Sequence, residues 1–166
     1  MKLNLNYAKK KCETLVEFVK KMYFEKANTI IRDEVEKYMS KNPDKMSKRD
    51  DTYYYEGKIQ IRIKDGCADI IDDRGTAFGW LFAIDSNIFR GDIVIINGRP
   101  ESVKYIHDEE QVSAVYEVID KLEKAKEKLT ADGITQYTYY CDHEEIRVNS
   151  FDEIMEKVLN REPLVY

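Results

Sequence analysis

The chain has 166 residues, of which 43% are hydrophobic and 36% charged, a balance typical of a globular protein rather than a disordered chain. This length is typical of one domain and is short for two. No apolar run approaches the roughly 20 residues that are needed to cross a bilayer. The basic amino-terminal stretch is not followed by an apolar segment, so no secretory signal is predicted. Three separate cysteines without a C-x-x-C pair favour reduced thiols and a cytoplasmic location.

Charge is unevenly distributed along the chain. The net charge is −5; residues 1–48 carry 12 basic and 7 acidic side chains, a balance of +5, and residues 49–166 carry 15 and 25, a balance of −10. A basic segment on an acidic body predicts either nucleic-acid contact by the segment or docking of the segment on its own body. The isoelectric point of about 5.2 favours docking, because a basic footprint would raise this value.

The first part of the chain predicts helix. Apolar side chains recur every three or four residues from Ala8 to Met39, which is the spacing of one buried helical face. The pattern fits one long helix or two in series over about residues 6–41. Pro43 ends it, because proline cannot continue a helix and biases the preceding residue away from helical backbone. The side chains expected to be largely buried include Leu15, Val19, Met22 and Ile30.

Period-two alternation then replaces the helical spacing. In K-I-Q-I-R-I-K, alternate isoleucines share one face, and the following Asp65-Gly66 predicts a tight hairpin turn that sets Ile61 opposite Ile70. The next run, 77–84, is apolar on both faces. It is therefore predicted to be a central strand of the sheet.

Two more hairpins are predicted further along. In the first, over 92–106, a four-residue N-G-R-P turn sets Val94 opposite Val103 and leaves Pro100 in the turn, where proline is tolerated. In the second, the strand-like runs I-T-Q-Y-T-Y-Y and I-R-V flank C-D-H-E-E, which puts His143 near the tip.

Two helices are predicted from capping signals. Asp108, with Gln111 three residues on, predicts the start of a helix that Asp132-Gly133 ends in a left-handed cap. Ser150, with Glu153 three residues on, predicts the start of the last helix. The buried face of this last helix is expected to hold Phe151, Ile154, Met155, Val158 and Leu159.

Together these elements predict a single α+β domain over residues 1–166. A helical segment, 1–41, is followed by a polar linker, 42–51, and by a body, 52–166. We expect the long helix to pack on a mostly antiparallel sheet of about five strands, followed by a helix, a hairpin and a short helix.

Both histidines lie among carboxylates, His107 in Y-I-H-D-E-E and His143 in Y-C-D-H-E-E. Helix capping accounts for the first group of acids and a polar hairpin tip for the second, so we interpret both histidines as structural. A zinc site would need both histidines to converge with Cys67 and Cys141. Beyond Cys141 and His143, the sequence has no second pair of ligands close together, which argues against such a site. No metal, cofactor or catalytic residue is therefore predicted.

One fragment keeps an enzymatic alternative open. Glu56-Gly57-Lys58, with Asp50 or Asp51 upstream, has the acid pair and lysine with which metal-dependent nucleases hold Mg²⁺ and stabilise the attacking water. The glycine lies between two strand-like runs, so a hairpin or bulge accounts for the same residues. No G-x-S-x-G, Walker, G-x-G-x-x-G or H-E-x-x-H motif occurs in the chain.

Tyrosine is the unusual component of the sequence, with 12 present. Six of them form two strand clusters, and alternation prevents either cluster from burying every ring on one face. Tyrosine favours positions where one end is apolar and the other wet, although it is also a good strand former. We expect the clusters to flank one edge of the same sheet, beside a loop with an aromatic residue and an arginine. The predicted binding residues are Tyr53, Tyr54, Tyr55, Phe89, Arg90, Tyr137, Tyr139 and Tyr140.

These observations predict a non-enzymatic protein-binding module, an inhibitor or adaptor that acts on another protein or protein complex. A phage or mobile-element inhibitor of a host defence system, or an immunity protein, would fit this description. A second copy of the chain is a further candidate partner, and no membrane partner is predicted. The alternative is a metal-dependent hydrolase or nuclease that uses the carboxylates near Asp50 and Glu56 together with Lys58.

Overall fold

A computed structural model describes residues 4–75, 77–84, 88–89, 91–131, 137–141 and 144–160. The α+β class is confirmed: a long amino-terminal helix precedes antiparallel strands and further helices. Among the described residues the main sheet has seven strands instead of about five, and two further strands form a second sheet. None of the helices in these ranges has the length and apolar character needed to cross a membrane.

The chain divides into two compact units, which we describe one at a time. The first comprises Met1–Tyr23 and Ser86–Ile134, and the second comprises Phe24–Asp85 and Thr135–Tyr166. Helix α1, Leu5–Lys41, contributes its first part to the first unit and the remainder to the second. The single domain over 1–166 stays a prediction.

Helix α1 is continuous, which decides between one helix and two. Asn4 caps its start, since the Asn4 Oδ1 accepts a hydrogen bond from the backbone N–H of Tyr7 at 3.1 Å. The helix ends just before Pro43, as predicted. Its buried face also follows the predicted spacing, with Leu15 and Val19 buried and Met22 and Ile30 half-buried. The buried residues of α1 are Leu5, Ala8, Cys12, Leu15, Val19 and Tyr23 in the first unit and Ala27, Ile31 and Val35 in the second.

The first unit contains a two-stranded sheet whose register differs from the prediction. Its strands are β6, Ile93–Ile96, and β7, Arg99–Ser102. Asn97 and Gly98 form the turn, with φ angles of +52° and +76°, so Val94 lies opposite Glu101 instead of Val103. A two-residue Asn-Gly turn accommodates positive φ at both positions and matches the twist of the strands.

Helix α2, Val112–Thr130, and the turn that precedes it follow in the first unit. Asp108 caps this turn, because its Oδ1 accepts a hydrogen bond from the Glu110 N–H at 2.9 Å, but the turn is a short 3-10 helix and α2 begins only at Val112, later than predicted. The predicted cap at 132–133 lies outside the described residues. Lys9 of α1 attaches to the segment before α2, donating to the carbonyl oxygens of Lys104 at 3.1 Å and Ile106 at 2.8 Å.

The second unit is built on a seven-stranded antiparallel sheet. Its strands are β1, Met46–Arg49; β2, Thr52–Tyr55; β3, Ile59–Lys64; β4, Cys67–Ile71; β5, Ala77–Phe82; β8, Tyr137–Cys141; and β9, Glu144–Val148. Their order across the sheet is β1-β2-β3-β4-β5-β8-β9. Strand β5, which comes from the run predicted to be central, has β4 on one side and β8 on the other.

The hairpin between β3 and β4 forms as predicted. Ile61 lies opposite Ile70, and the turn residues Asp65 and Gly66 have φ angles of +52° and +83°. The Gly66 N–H donates to the Asn28 Oδ1 of α1 at 2.8 Å. The turn is therefore held by the helix as well as by its own backbone preference.

The segment 42–51, predicted to be a linker, contains edge strand β1. Met46 of this strand lies opposite Tyr55 and is buried, whereas Ser47, Lys48 and Arg49 are exposed. With a single apolar residue, this strand shows no alternation of apolar and polar side chains from which it could be predicted. Edge strands tolerate such charged sequences, because charge there discourages pairing with another chain.

One face of the seven-stranded sheet carries the core of the second unit, packed by α1 and by helix α3, Phe151–Asn160. Ser150 caps α3, accepting from the Glu153 N–H at 3.4 Å, as the sequence predicted. Four of the five predicted core residues of α3 are buried, but Leu159 is 42% exposed. The prediction was wrong for this residue, which lies one position past the buried Val158 at the end of the helix.

Candidate functional site

The seven-stranded sheet has two chemically different faces, because side chains alternate between them. The face opposite the core, here called the open sheet face, is made mostly of side chains that are half-buried or exposed, with Thr138 as a buried exception. Its central members are Tyr54, Arg62, Asp69, Trp80, Phe82 and Tyr140.

Strand register joins four of these side chains into one row. Arg62 of β3 lies opposite Asp69 of β4, Asp69 lies opposite Trp80 of β5, and Trp80 lies opposite Tyr140 of β8. Side chains directly opposite each other on neighbouring strands have Cβ atoms about 4.5–5.5 Å apart. The row is therefore a continuous band across the middle of the sheet, charged at one end and aromatic at the other.

Trp80 is the only tryptophan of the chain and is 45% exposed, between the buried Gly79 and Leu81. Beside it, the rings of Phe82 and Tyr140 meet edge to face with centroids 5.5 Å apart and an interplanar angle of 88°, which is a preferred aromatic geometry. These contacts hold neighbouring rings in place next to an exposed indole.

The open sheet face is more basic than the protein as a whole. By strand register, four cations (Arg49, Arg62, Lys64 and Arg147) and two anions (Asp69 and Glu145) lie on it, a balance of +2. The whole chain carries −5. The Arg49 guanidinium lies 5.9 Å from the Tyr54 ring centroid, within the range of a cation–π contact.

Four of the predicted binding tyrosines belong to the core, so the expectation that they are exposed is wrong. Tyr53 and Tyr139 are 1% and 0% exposed, and Tyr55 and Tyr137 are also buried. Strand alternation is the reason: the first and third tyrosine of T-Y-Y-Y point to the core, as do 137 and 139. The middle residue, Tyr54, and the last, Tyr140, are the two that lie on the open sheet face.

The two tyrosine clusters also do not flank a single edge of the sheet. One lies in β2 and the other in β8, each one strand in from an opposite edge. This separation follows from the order in which the strands pair, which period-two patterns in the sequence do not encode.

The buried Tyr53 has a polar partner on helix α1. The Tyr53 hydroxyl donates to the Glu36 Oε1 at 2.7 Å, and Lys48 donates to the same oxygen at 3.3 Å. These hydrogen bonds lower the pKa of Glu36, and burial followed by the bond to Glu36 raises the pKa of Tyr53. Burial, assisted by nearby carboxylates, raises the pKa of Tyr137 to about 12. Both hydroxyls therefore stay protonated at neutral pH.

Of the two predicted loop residues, the structure describes only Phe89. Phe89 belongs to the first unit, where it is half-buried and its ring centroid lies 6.4 Å from that of Tyr23. Arg90 lies outside the described residues. Phe89 thus covers the buried face of α1 in that unit.

The acids of the enzymatic alternative are not brought together. Asp50 and Asp51 precede β2 and Glu56 follows it, so about 15 Å of extended strand separates them. Within the described ranges, no group of three histidine, cysteine or carboxylate residues could hold a metal ion. His107 is exposed next to the cap at Asp108, and His143 lies outside those ranges.

Sequence reasoning missed Trp80 and Arg62, the most accessible members of the row. The available signal was a lone tryptophan in the strand-like run 77–84, which is apolar on both faces and was predicted to be a central strand. Comparisons of the chain with protein-family models, with curated proteins and with solved structures find no match.

Proposed function

We propose that the protein is a non-enzymatic binding protein, an inhibitor or adaptor that covers a surface of another protein with its open sheet face. The observation that carries this proposal is the 45% exposure of Trp80 in the middle of the sheet. Single exposed apolar residues are ordinary. Trp80, however, continues into the half-buried Phe82 and Tyr140, and such connected patches with a polar rim mark interaction sites.

The composition of this face supports a protein partner. Tryptophan, tyrosine and arginine are the residue types enriched among interface hot spots, and Trp80, Tyr140 and Arg62 all lie in one row. The position of this row on β-strands also favours binding. Strands hold the side chains in place in the free protein, which reduces the conformational entropy lost on association.

A variant comparison tests the proposal. Tagged wild-type protein is incubated with nuclease-treated extract of the source cells, alongside Trp80→Ala and the matched control Tyr105→Ala, an aromatic that is 63% exposed in the first unit. The expected result is a protein retained by wild type and Tyr105→Ala and lost with Trp80→Ala. Retention of the same protein by all three would contradict the proposal.

A single-stranded nucleic acid is the second candidate partner for this face. Aromatic rings interleaved with arginine on an antiparallel sheet provide stacking surfaces and phosphate contacts, and the local balance of +2 supports it. Binding to labelled oligonucleotides would then weaken steeply with added salt. Nucleic-acid contact by the basic amino-terminal segment stays a separate prediction.

A second copy of the chain is also a candidate partner. Light scattering on the purified protein tests for a dimer.

A further inference from the structure

The first unit contains a groove between α1 and α2 that is separate from the open sheet face. We call it the lysine groove; its volume is about 440 Å³, within the range of sites that bind ligands. The side chains that matter to its chemistry are Tyr7, Lys10, Lys11 and Phe18 of α1 and Glu123 and Lys126 of α2.

The apolar part of the groove is long and narrow. Tyr7 and Phe18 are 61% and 48% exposed and lie eleven residues apart on one face of α1, which corresponds to about 16 Å along the axis. Leu15, which is buried, forms part of the lining between them. An exposed aromatic side chain therefore stands near each end of a strip about three helical turns long.

The rim of the groove is basic. Lys10, Lys11 and Lys126 contribute three positive charges and Glu123 one negative charge, a balance of +2 in a chain of net charge −5. The Lys126 Nζ lies 5.0 Å from the centroid of the Phe18 ring, so a positive charge stands directly beside the apolar strip. A ligand of this groove therefore has to match both the apolar strip and the positive charge of the rim.

We propose that the lysine groove binds an acidic amphipathic α-helix of a partner protein. Two packed helices leave a groove that a third helix fills with side chains at i, i+3 or i+4, and i+7. A strip of three turns provides contacts for such a series, and acidic residues flanking the apolar stripe would meet the three lysines. This docking site is independent of the open sheet face.

The test uses the full chain and a defined probe. The probe is a fluorescein-labelled amphipathic peptide of about four turns, with leucine on one stripe and glutamate on its flanks, and binding is followed by fluorescence anisotropy. The expected result is saturable binding that Phe18→Ala and the double variant Lys10→Glu/Lys11→Glu each weaken at least about tenfold. Tyr105→Ala, an exposed aromatic outside the groove, should bind like wild type.

Two control peptides and one membrane arm complete the test. A scrambled peptide of the same composition and a peptide with lysine in place of glutamate should both bind at least about tenfold more weakly. Equal binding of either peptide, or no effect of the groove variants, would overturn the proposal. Binding to phosphatidylserine vesicles without binding to the acidic peptide would also overturn it, and would identify the groove as a membrane-facing surface.

Discussion

Tyr139 and Tyr140 are consecutive residues of one strand, yet they lie on opposite faces of the same sheet with different physical roles. Tyr139 is fully buried, passes over Gly79 and donates its hydroxyl to the Phe78 carbonyl at 3.2 Å. Tyr140 is half-buried and packs edge to face on Phe82 beside the exposed Trp80. Residue type therefore does not distinguish a core residue from a candidate binding residue in this sheet, whereas the face on which the residue lies does.

The largest expected difference between the faces comes from truncating these two tyrosines. Tyr139→Ala should lower the free energy of unfolding by about 3–5 kcal/mol, as for other buried aromatics. Tyr140→Ala should lower it by about 1 kcal/mol, mainly through the lost ring contact. Urea denaturation of both variants measures this difference. Similar losses in the two would contradict the distinction between a core face and a proposed binding face.

The next prediction concerns Gly79, beneath the Tyr139 ring. A Cβ atom there would lie 2.5 Å from the carbonyl oxygen of Tyr140 and 2.5 Å from a ring carbon of Tyr139. Gly79→Ala should therefore cost about 1–3 kcal/mol through overpacking. In a double-mutant cycle with Tyr139→Leu the two effects should be less than additive, because the smaller side chain relieves the ring contact. Full additivity would mean that the ring is not what Gly79 accommodates.

Glu36 tests how the core face satisfies its polar groups. Glu36→Ala removes the acceptor of the largely buried Tyr53 hydroxyl, which should cost about 1–3 kcal/mol, whereas Glu36→Gln keeps an acceptor and should cost less. Thermal or urea denaturation of the two variants gives the comparison. If both variants lost the same stability, the hydrogen bond to Tyr53 would not be the stabilising contact.

The same carboxylate predicts a pH effect. Its hydrogen bonds from Tyr53 and Lys48 lower its pKa, so its contribution is present above the ordinary carboxyl pKa and is lost as pH falls through the lowered value. Wild-type stability should therefore fall more steeply over this acidic range than that of Glu36→Gln. Parallel curves of unfolding free energy against pH for the two proteins would contradict the assignment.

The smallest expected effect on stability belongs to the open sheet face. Trp80→Ala should change the free energy of unfolding by no more than about 1 kcal/mol, since the side chain is 45% exposed and lies on the face opposite the core. The same change should weaken partner binding by more than about 1 kcal/mol. Denaturation and binding affinity, measured on the same preparation of the variant, separate its effect on stability from its effect on partner binding.

Much of the fold could be predicted from local pattern. The extent of α1, the turn at Asp65-Gly66 and the caps at Asp108 and Ser150 depend on residues close in sequence, and all are present. Strand β1 was missed because its sequence is polar, and the register of β6 and β7 was wrong because a two-residue turn competes with a four-residue one at N-G-R-P. These errors are local and small.

The site was harder to predict than the fold. Two of the eight predicted binding residues, Tyr54 and Tyr140, lie on the open sheet face, and four lie in the core. Alternation shows that neighbouring tyrosines point to opposite faces, but it does not show which face the helices cover. That choice depends on long-range packing by α1 and α3, and so the exposure of Trp80 could not be derived from the strand pattern.

Site-specific photocrosslinking at position 80 shows whether Trp80 lies in a protein-binding surface. p-Benzoylphenylalanine is introduced in place of Trp80 and, in a second protein, in place of Tyr105, and both proteins are irradiated in extract of the source cells. We expect a protein that is crosslinked from position 80 and is absent from the position-105 sample. Excess wild-type protein should displace it, and excess Trp80→Ala should not. The same products from both positions, or displacement by Trp80→Ala as effective as by wild type, would contradict it.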